Sequence, residues 1–158
     1  MKKIFFVLFL SLIATNIITA AVMSKPITPH CVVSIQDASF ASMMNMLATG
    51  LKPTSFSKDW KSKSGAFLSK IRTLDPKDLS GSASTLFEFA KFLKPNVFED
   101  SWKTQKGDFL RGVSQVNSTQ DLSKLFSLLL NNISPKSYTK EFKSKADGLK
   151  VAAGKLGQ

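Results

Sequence analysis

The stretch Leu93–Val113, LKPNVFEDSWKTQKGDFLRGV, decides the fold, because the chain writes it more than once. Residues 51–71 read LKPTSFSKDWKSKSGAFLSKI, and residues 133–153 read ISPKSYTKEFKSKADGLKVAA, a weaker version of the same frame. In each copy an aliphatic residue is followed by a proline two positions later, which disfavours helix in the residue before it and marks a turn. A helix is expected to start within a residue or two of that proline, with Asn96 and Glu99 as a capping box. At 100° per residue Phe56, Trp60, Phe67, Ile71 and Leu74 form one stripe, repeated by Phe98, Trp102, Phe109, Val113 and Val116. Tyr138, Phe142, Leu149 and Ala153 repeat it again with smaller groups.

The segment before each turn is also repeated. Ser34–Asp37, Asp75–Asp78 and Ser118–Asp121 each place an oxygen-bearing side chain three residues ahead of an aspartate and an apolar run, the pattern of a helix start. The runs that follow carry apolar residues three and four apart: Phe40, Met43, Met44 and Leu47; Leu79, Leu86, Phe87, Phe89, Ala90 and Leu93; Leu122, Leu125, Phe126, Leu128, Leu129 and Leu130. That spacing is helical, and no segment alternates as a strand would. Gly81–Ser82–Ala83 reads as an insertion in the second copy.

The expected fold is therefore all-α: three tandem helical hairpins of about 40 residues, six helices in all. The repeats cover about 34–74, 75–117 and 118–158. Two architectures fit, a short helical-repeat stack or a closed helical bundle. Tetratricopeptide repeats have a shorter period, and their Gly-Tyr-Ala-Pro pattern is missing here.

Residues 1–21 read as a secretory signal peptide: Met1-Lys2-Lys3, an apolar run over Ile4–Ile13, and small residues at Thr19, Ala20 and Ala21. The run is roughly ten residues, short of the ~20 that span a bilayer. Cleavage after Ala21 (or Ala20) leaves an N-terminal tail over 22–33, a repeat domain over 34–158, and no transmembrane helix. The implied location is exported, periplasmic or secreted, with a bacterial style of leader. Without Lys2 and Lys3 the chain carries a net charge of about +9, which favours anionic partners. The single cysteine, Cys31, has no partner in its own chain, and beside the single histidine, His30, it makes too small a set for a metal site.

Catalytic sets are thin. No histidine lies in the repeats, so Ser-His-Asp and Cys-His schemes lack a base, and the phosphate-cradling and HExxH frames are missing. The reading is a non-enzymatic binding protein with no cofactor and no metal. Candidate binding residues are those that differ between copies: Lys63, Gln105 and Lys145 at one repeat position, close to the stripe formed by Trp60 and Trp102. Lys136, Lys140, Lys143 and Lys150 lie three, four and seven apart and are expected to share one basic face. A protein, an anionic lipid headgroup or an acidic glycan would suit such a face; nucleic acid is disfavoured, since no aromatics interleave with these lysines. The second reading is a carrier that holds a lipid or other apolar ligand in a Phe/Trp-lined cavity of roughly 300–1,000 Å³.

Overall fold

A computed structural model describes residues 39–156 and 158. The signal peptide, the tail with His30 and Cys31, and the Ser34–Asp37 cap lie outside the described residues. Six α-helices follow in order: α1 Phe40–Gly50, α2 Trp60–Arg72, α3 Leu79–Phe92, α4 Trp102–Gln115, α5 Thr119–Asn131 and α6 Lys140–Gly154. The first helix of each repeat is the apolar one. Helices α1, α3 and α5 each bury six residues, whereas α2 buries Phe67 and Ile71 and α4 buries Phe109. Among the described residues no helix is long and apolar enough to cross a membrane.

The proline turns depart from expectation in an informative way. Pro53, Pro95 and Pro135 each open a single 3₁₀ turn of three residues, followed by an extended residue, and the second helix starts only at Trp60, Trp102 and Lys140. The Asn96–Glu99 capping box does not form. The Glu99 N–H donates instead to the Asn132 carbonyl of the next repeat at 2.9 Å, and Ser134 N–H returns a bond to Val97 at 2.8 Å. Ser57 N–H bonds Phe92 at 2.8 Å and Lys94 N–H bonds Ser55 at 3.0 Å. Thr139 N–H bonds Gly50, and Lys52 N–H bonds Ser137, both at 2.9 Å. Each pair flanks an isolated antiparallel bridge: Phe56 with Leu93, Phe98 with Ile133, and Tyr138 with Leu51.

Those three bridges join repeat one to two, two to three, and three back to one. The repeats therefore close into a ring with approximate threefold symmetry, and the bundle, not the open stack, is the architecture. The physical reason lies in the turns. A chain that leaves a helix for nine residues (51–59) exposes backbone donors and acceptors that need partners, and each turn finds them in its neighbour. Ser55, Val97 and Ser137 occupy the equivalent inner position and are buried. The Ser55 hydroxyl donates to Ser137 O at 3.1 Å, and the Ser137 hydroxyl to Val97 O at 3.3 Å.

Helix starts follow the capping logic, with a shift in register. Ser118 caps α5 as expected: its hydroxyl oxygen accepts the Asp121 N–H, while Asp121 accepts from the Ser118 hydroxyl and the Asn117 N–H. These bonds, with Lys124 nearby, hold the Asp121 carboxyl below the usual carboxylate range. In the second repeat the cap is Asp78, which accepts from Gly81 N–H at 2.7 Å, and Asp75 only steadies the turn through Lys77 N–H. Cap and bridge residue then stand equally far apart in both copies (78 to 93, 118 to 133), so the extra tripeptide is absorbed by moving the cap. In the first repeat Ser39 caps the shorter α1.

Tyr138 shows the cost of burying a titratable group in this ring. It is 2 % exposed, and burial, reinforced by the Asp147 carboxylate, pushes its phenol up to about 12. A group whose folded pKa is raised contributes stability that is whole below the unfolded value near 10 and is lost as pH climbs towards 12. Tyr138→Phe keeps the ring and removes the titration. Thermal unfolding at pH 8 and pH 11 should show the wild type losing about 1.4 kcal/mol more than the variant, half of the full two-unit shift. Equal losses in the two proteins would refute the assignment.

Candidate functional site

The seams between repeats account for most of the aromatic stripe. At the first seam Trp60 stacks on Phe56 (4.4 Å between centroids, 9° between planes) and packs against Phe89 and Phe92 of the following repeat at 6.1 and 5.3 Å. Lys70 on α2 pairs with Glu88 on α3 at 2.7 Å. Trp60, itself partly buried, thus packs onto the core at a seam. At the second seam Asn132 stands where Phe92 stands at the first. It is buried, donates to Gln105 Oε1 at 2.8 Å and to Leu128 O at 2.7 Å, and accepts from the Ser101 hydroxyl at 2.7 Å. Gln105 is therefore committed to satisfying a buried amide, whereas Lys63 and Lys145 at the equivalent positions are exposed.

The lysines of the last repeat divide in two. Lys140 and Lys143 are exposed on α6, and Lys150 is half-buried there. Lys136 belongs to the preceding 3₁₀ turn, so helical spacing does not carry it onto the same face. Asp147, three or four residues from Lys143 and Lys150, shares that face and lowers its charge.

Trp102 has a different setting from Trp60. It stacks on Phe98 (4.5 Å, 8°) and tilts against Phe109 at 5.3 Å, but Phe98 is partly open where Phe56 is buried, and among the described residues Trp102 meets no ring equivalent to Phe89 or Phe92. Phe98 and Trp102 form one wall of an open groove of about 770 Å³ between α3 and α4. Phe87, Ala90 and Leu93 supply the α3 side, Phe109 and Leu110 extend the α4 side, and Lys91, Lys103 and Lys106 stand at its margin with Glu99 and Asp100. Leu110, 42 % exposed, is one of two large apolar side chains left open to solvent among the described residues. Lys103 pairs with Asp100 at 3.0 Å, and the Lys91 ammonium lies 5.3 Å from the centre of the Phe87 ring.

The groove exists because the second repeat does not close as tightly as the third. In the third, Ala146, Ala152 and Ala153 are buried, and the Ser123 hydroxyl reaches the Ala153 carbonyl at 2.6 Å, so α6 lies directly on α5. Lys106 occupies the place of Ala146, and Ala90 the place of Leu130, which leaves space between α3 and α4. Sequence reasoning had picked out Trp102 but passed over Phe87, Lys91, Lys106 and Leu110. The available signal was the mismatch of Lys106 with Ser64 and Ala146 in the other copies. No protein-family model matches the chain, and no curated protein and no solved structure matches it either.

Proposed function

We propose that this chain is an exported, non-enzymatic binding protein that carries an amphiphile, its apolar part in the groove beside Trp102 and its anionic end among Lys91, Lys103 and Lys106. The observation that carries the reading is an apolar groove of about 770 Å³ with Trp102 on its wall, inside the size range of small-molecule sites. Eight of its fourteen lining residues are apolar, and its three lysines outnumber the carboxylates of Glu99 and Asp100, a balance that can hold a hydrocarbon and orient an anionic head group. A single acyl chain buries about 0.8 kcal/mol per methylene, so affinity would come from the groove and orientation from the lysines. The basic surface of α6 remains the second reading, supported by the exposed Lys140 and Lys143.

The test is a titration of the full-length protein with dodecanoate, read by tryptophan fluorescence in a Trp60→Phe background, where Trp102 is the only tryptophan left. Saturable change in Trp102 emission is expected, with affinity reduced roughly tenfold or more by Ala90→Leu, which fills the groove where about two methylenes would lie. A flat titration, or one that Ala90→Leu leaves unchanged, would remove the carrier reading.

A further inference from the structure

We infer that the pseudo-threefold axis carries a second site, an oxyanion site for a phosphate group, on the face formed by the three proline turns. The turns converge there around a polar depression of about 210 Å³ lined by Lys52, Thr54, Asn96 and Lys136 over Ser55 and Ser137. The Lys52 ammonium is held at the rim by a backbone carbonyl, Lys52 Nζ donating to Lys136 O at 2.7 Å; Lys94 Nζ makes the same contact one repeat on, to Thr54 O at 2.9 Å, outside the lining. Lys136 contributes a second ammonium. Each ammonium has three donors, so Lys52 keeps two beyond its carbonyl bond.

What the site lacks is a counter-charge. No carboxylate lines the depression, and the ion pairs among the described residues are made by Lys70, Lys103 and Arg111. Two like charges, with a fixed position for Lys52, repel one another until an anion is present. A phosphate dianion fits better than a carboxylate, because it brings more charge and more acceptor oxygens to donors supplied by all three turns: Lys52, Thr54, Asn96 and Lys136. The phosphate is either free or the head of a phosphorylated lipid. Asn96 lines both this depression and the apolar groove, so the two sources predict different behaviour. The oxyanion site does not depend on the groove binding anything.

Inorganic phosphate titrated calorimetrically into the full-length protein at low ionic strength, with chloride as the matched control, should bind saturably where chloride does not. Lys136→Gln removes one charge and keeps the carbonyl that Lys52 grips, so the fold is preserved. It should weaken binding roughly thirtyfold, the worth of one charge about 4 Å from a dianion in high dielectric. Adding Lys52→Gln should weaken it further, while Lys77→Gln should not. No saturable binding, or binding that Lys136→Gln and Lys52→Gln leave intact, overturns the proposal. Dodecanoyl lysophosphatidic acid identifies the source: a gain over inorganic phosphate that Ala90→Leu reduces marks a lipid head group, and equal affinities mark free phosphate. Dodecanoate binding retained in Lys136→Gln would show the groove working without the axial site, so the two readings fail separately.

Discussion

Gly50→Ala is expected to destabilise the protein by about 1–3 kcal/mol, the range for overpacking a filled site. Gly50 is the last residue of α1, at the seam that joins the third repeat back to the first, and its carbonyl accepts the Thr139 N–H. A methyl group there would fall inside the Phe142 ring, against Cγ and both Cδ atoms. These atoms lie at the base of the ring, so rotation about the side chain does not move them aside. Gly107, in the interior of α4, has nothing within 4 Å of an added Cβ. Gly107→Ala should therefore stabilise by roughly 0.5–1 kcal/mol, the helical preference of alanine over glycine. The same chemical change thus carries opposite signs at two positions, and urea denaturation of both variants checks it. A double-mutant cycle of Gly50→Ala with Phe142→Ala should return a coupling of about 0.5–3 kcal/mol, because truncating the ring makes room for the methyl. Additive losses would mean that Gly50 is needed for some reason other than ring contact.

The helix content and repeat order were legible in the sequence, since they depend on local spacing: apolar residues at three and four, and a proline at each turn. Ring closure was not legible. It rests on Leu51 meeting Tyr138 and Phe98 meeting Ile133, and bonds between residues so distant leave no periodic trace. The late start of the second helices has the same cause. Phe56 stays extended because the backbone on either side of it, Ser55 O and Ser57 N–H, is bonded to the next repeat, a tertiary demand that local preference does not express. The cap at Asp78 was misplaced by one turn because two aspartates stand three apart, and only the distance to the bridge residue chooses between them.

At the seams, the differences between copies make sense in pairs. Position 92 of repeat two, 132 of repeat three and 50 of repeat one hold Phe, Asn and Gly. They face Trp60, the Ser101–Gln105 pair and Phe142 respectively. Aromatic meets aromatic, amide meets amide, and the smallest residue meets a ring that comes closest. Gln105, a candidate for binding because it differs between copies, differs because its seam partner Asn132 does. By contrast Lys106 has no seam partner to explain it, and it stands where the groove opens. Variation between repeats therefore has to be checked against the facing residue before it is assigned to function.

The largest loss is expected at Phe89→Ala, about 3–5 kcal/mol, the usual cost of removing a buried phenylalanine. Phe89 is fully buried, and its ring meets Phe56 at 6.1 Å, Trp60 at 6.1 Å and Phe67 at 5.8 Å, so one side chain closes the whole first seam. The equivalents Leu129 and Leu47 are equally buried but join fewer rings. Leu129→Ala should fall in the lower part of the 2–5 kcal/mol range, about 2–3 kcal/mol, because edge-to-face aromatic contacts contribute about 0.5–1.5 kcal/mol each beyond area burial. Since single domains have only about 5–15 kcal/mol in hand, Phe89→Ala should shift the urea midpoint strongly with an unchanged slope. The two tryptophans locate the damage. With Trp102 replaced by Phe, Trp60 emission should move to longer wavelength in folded Phe89→Ala, because its neighbour has gone and water reaches the indole. With Trp60 replaced instead, Trp102 emission should stay where it was, since the second seam does not touch Phe89. A loss under about 1 kcal/mol, or equal shifts of both tryptophans, would show that the seams do not carry stability separately.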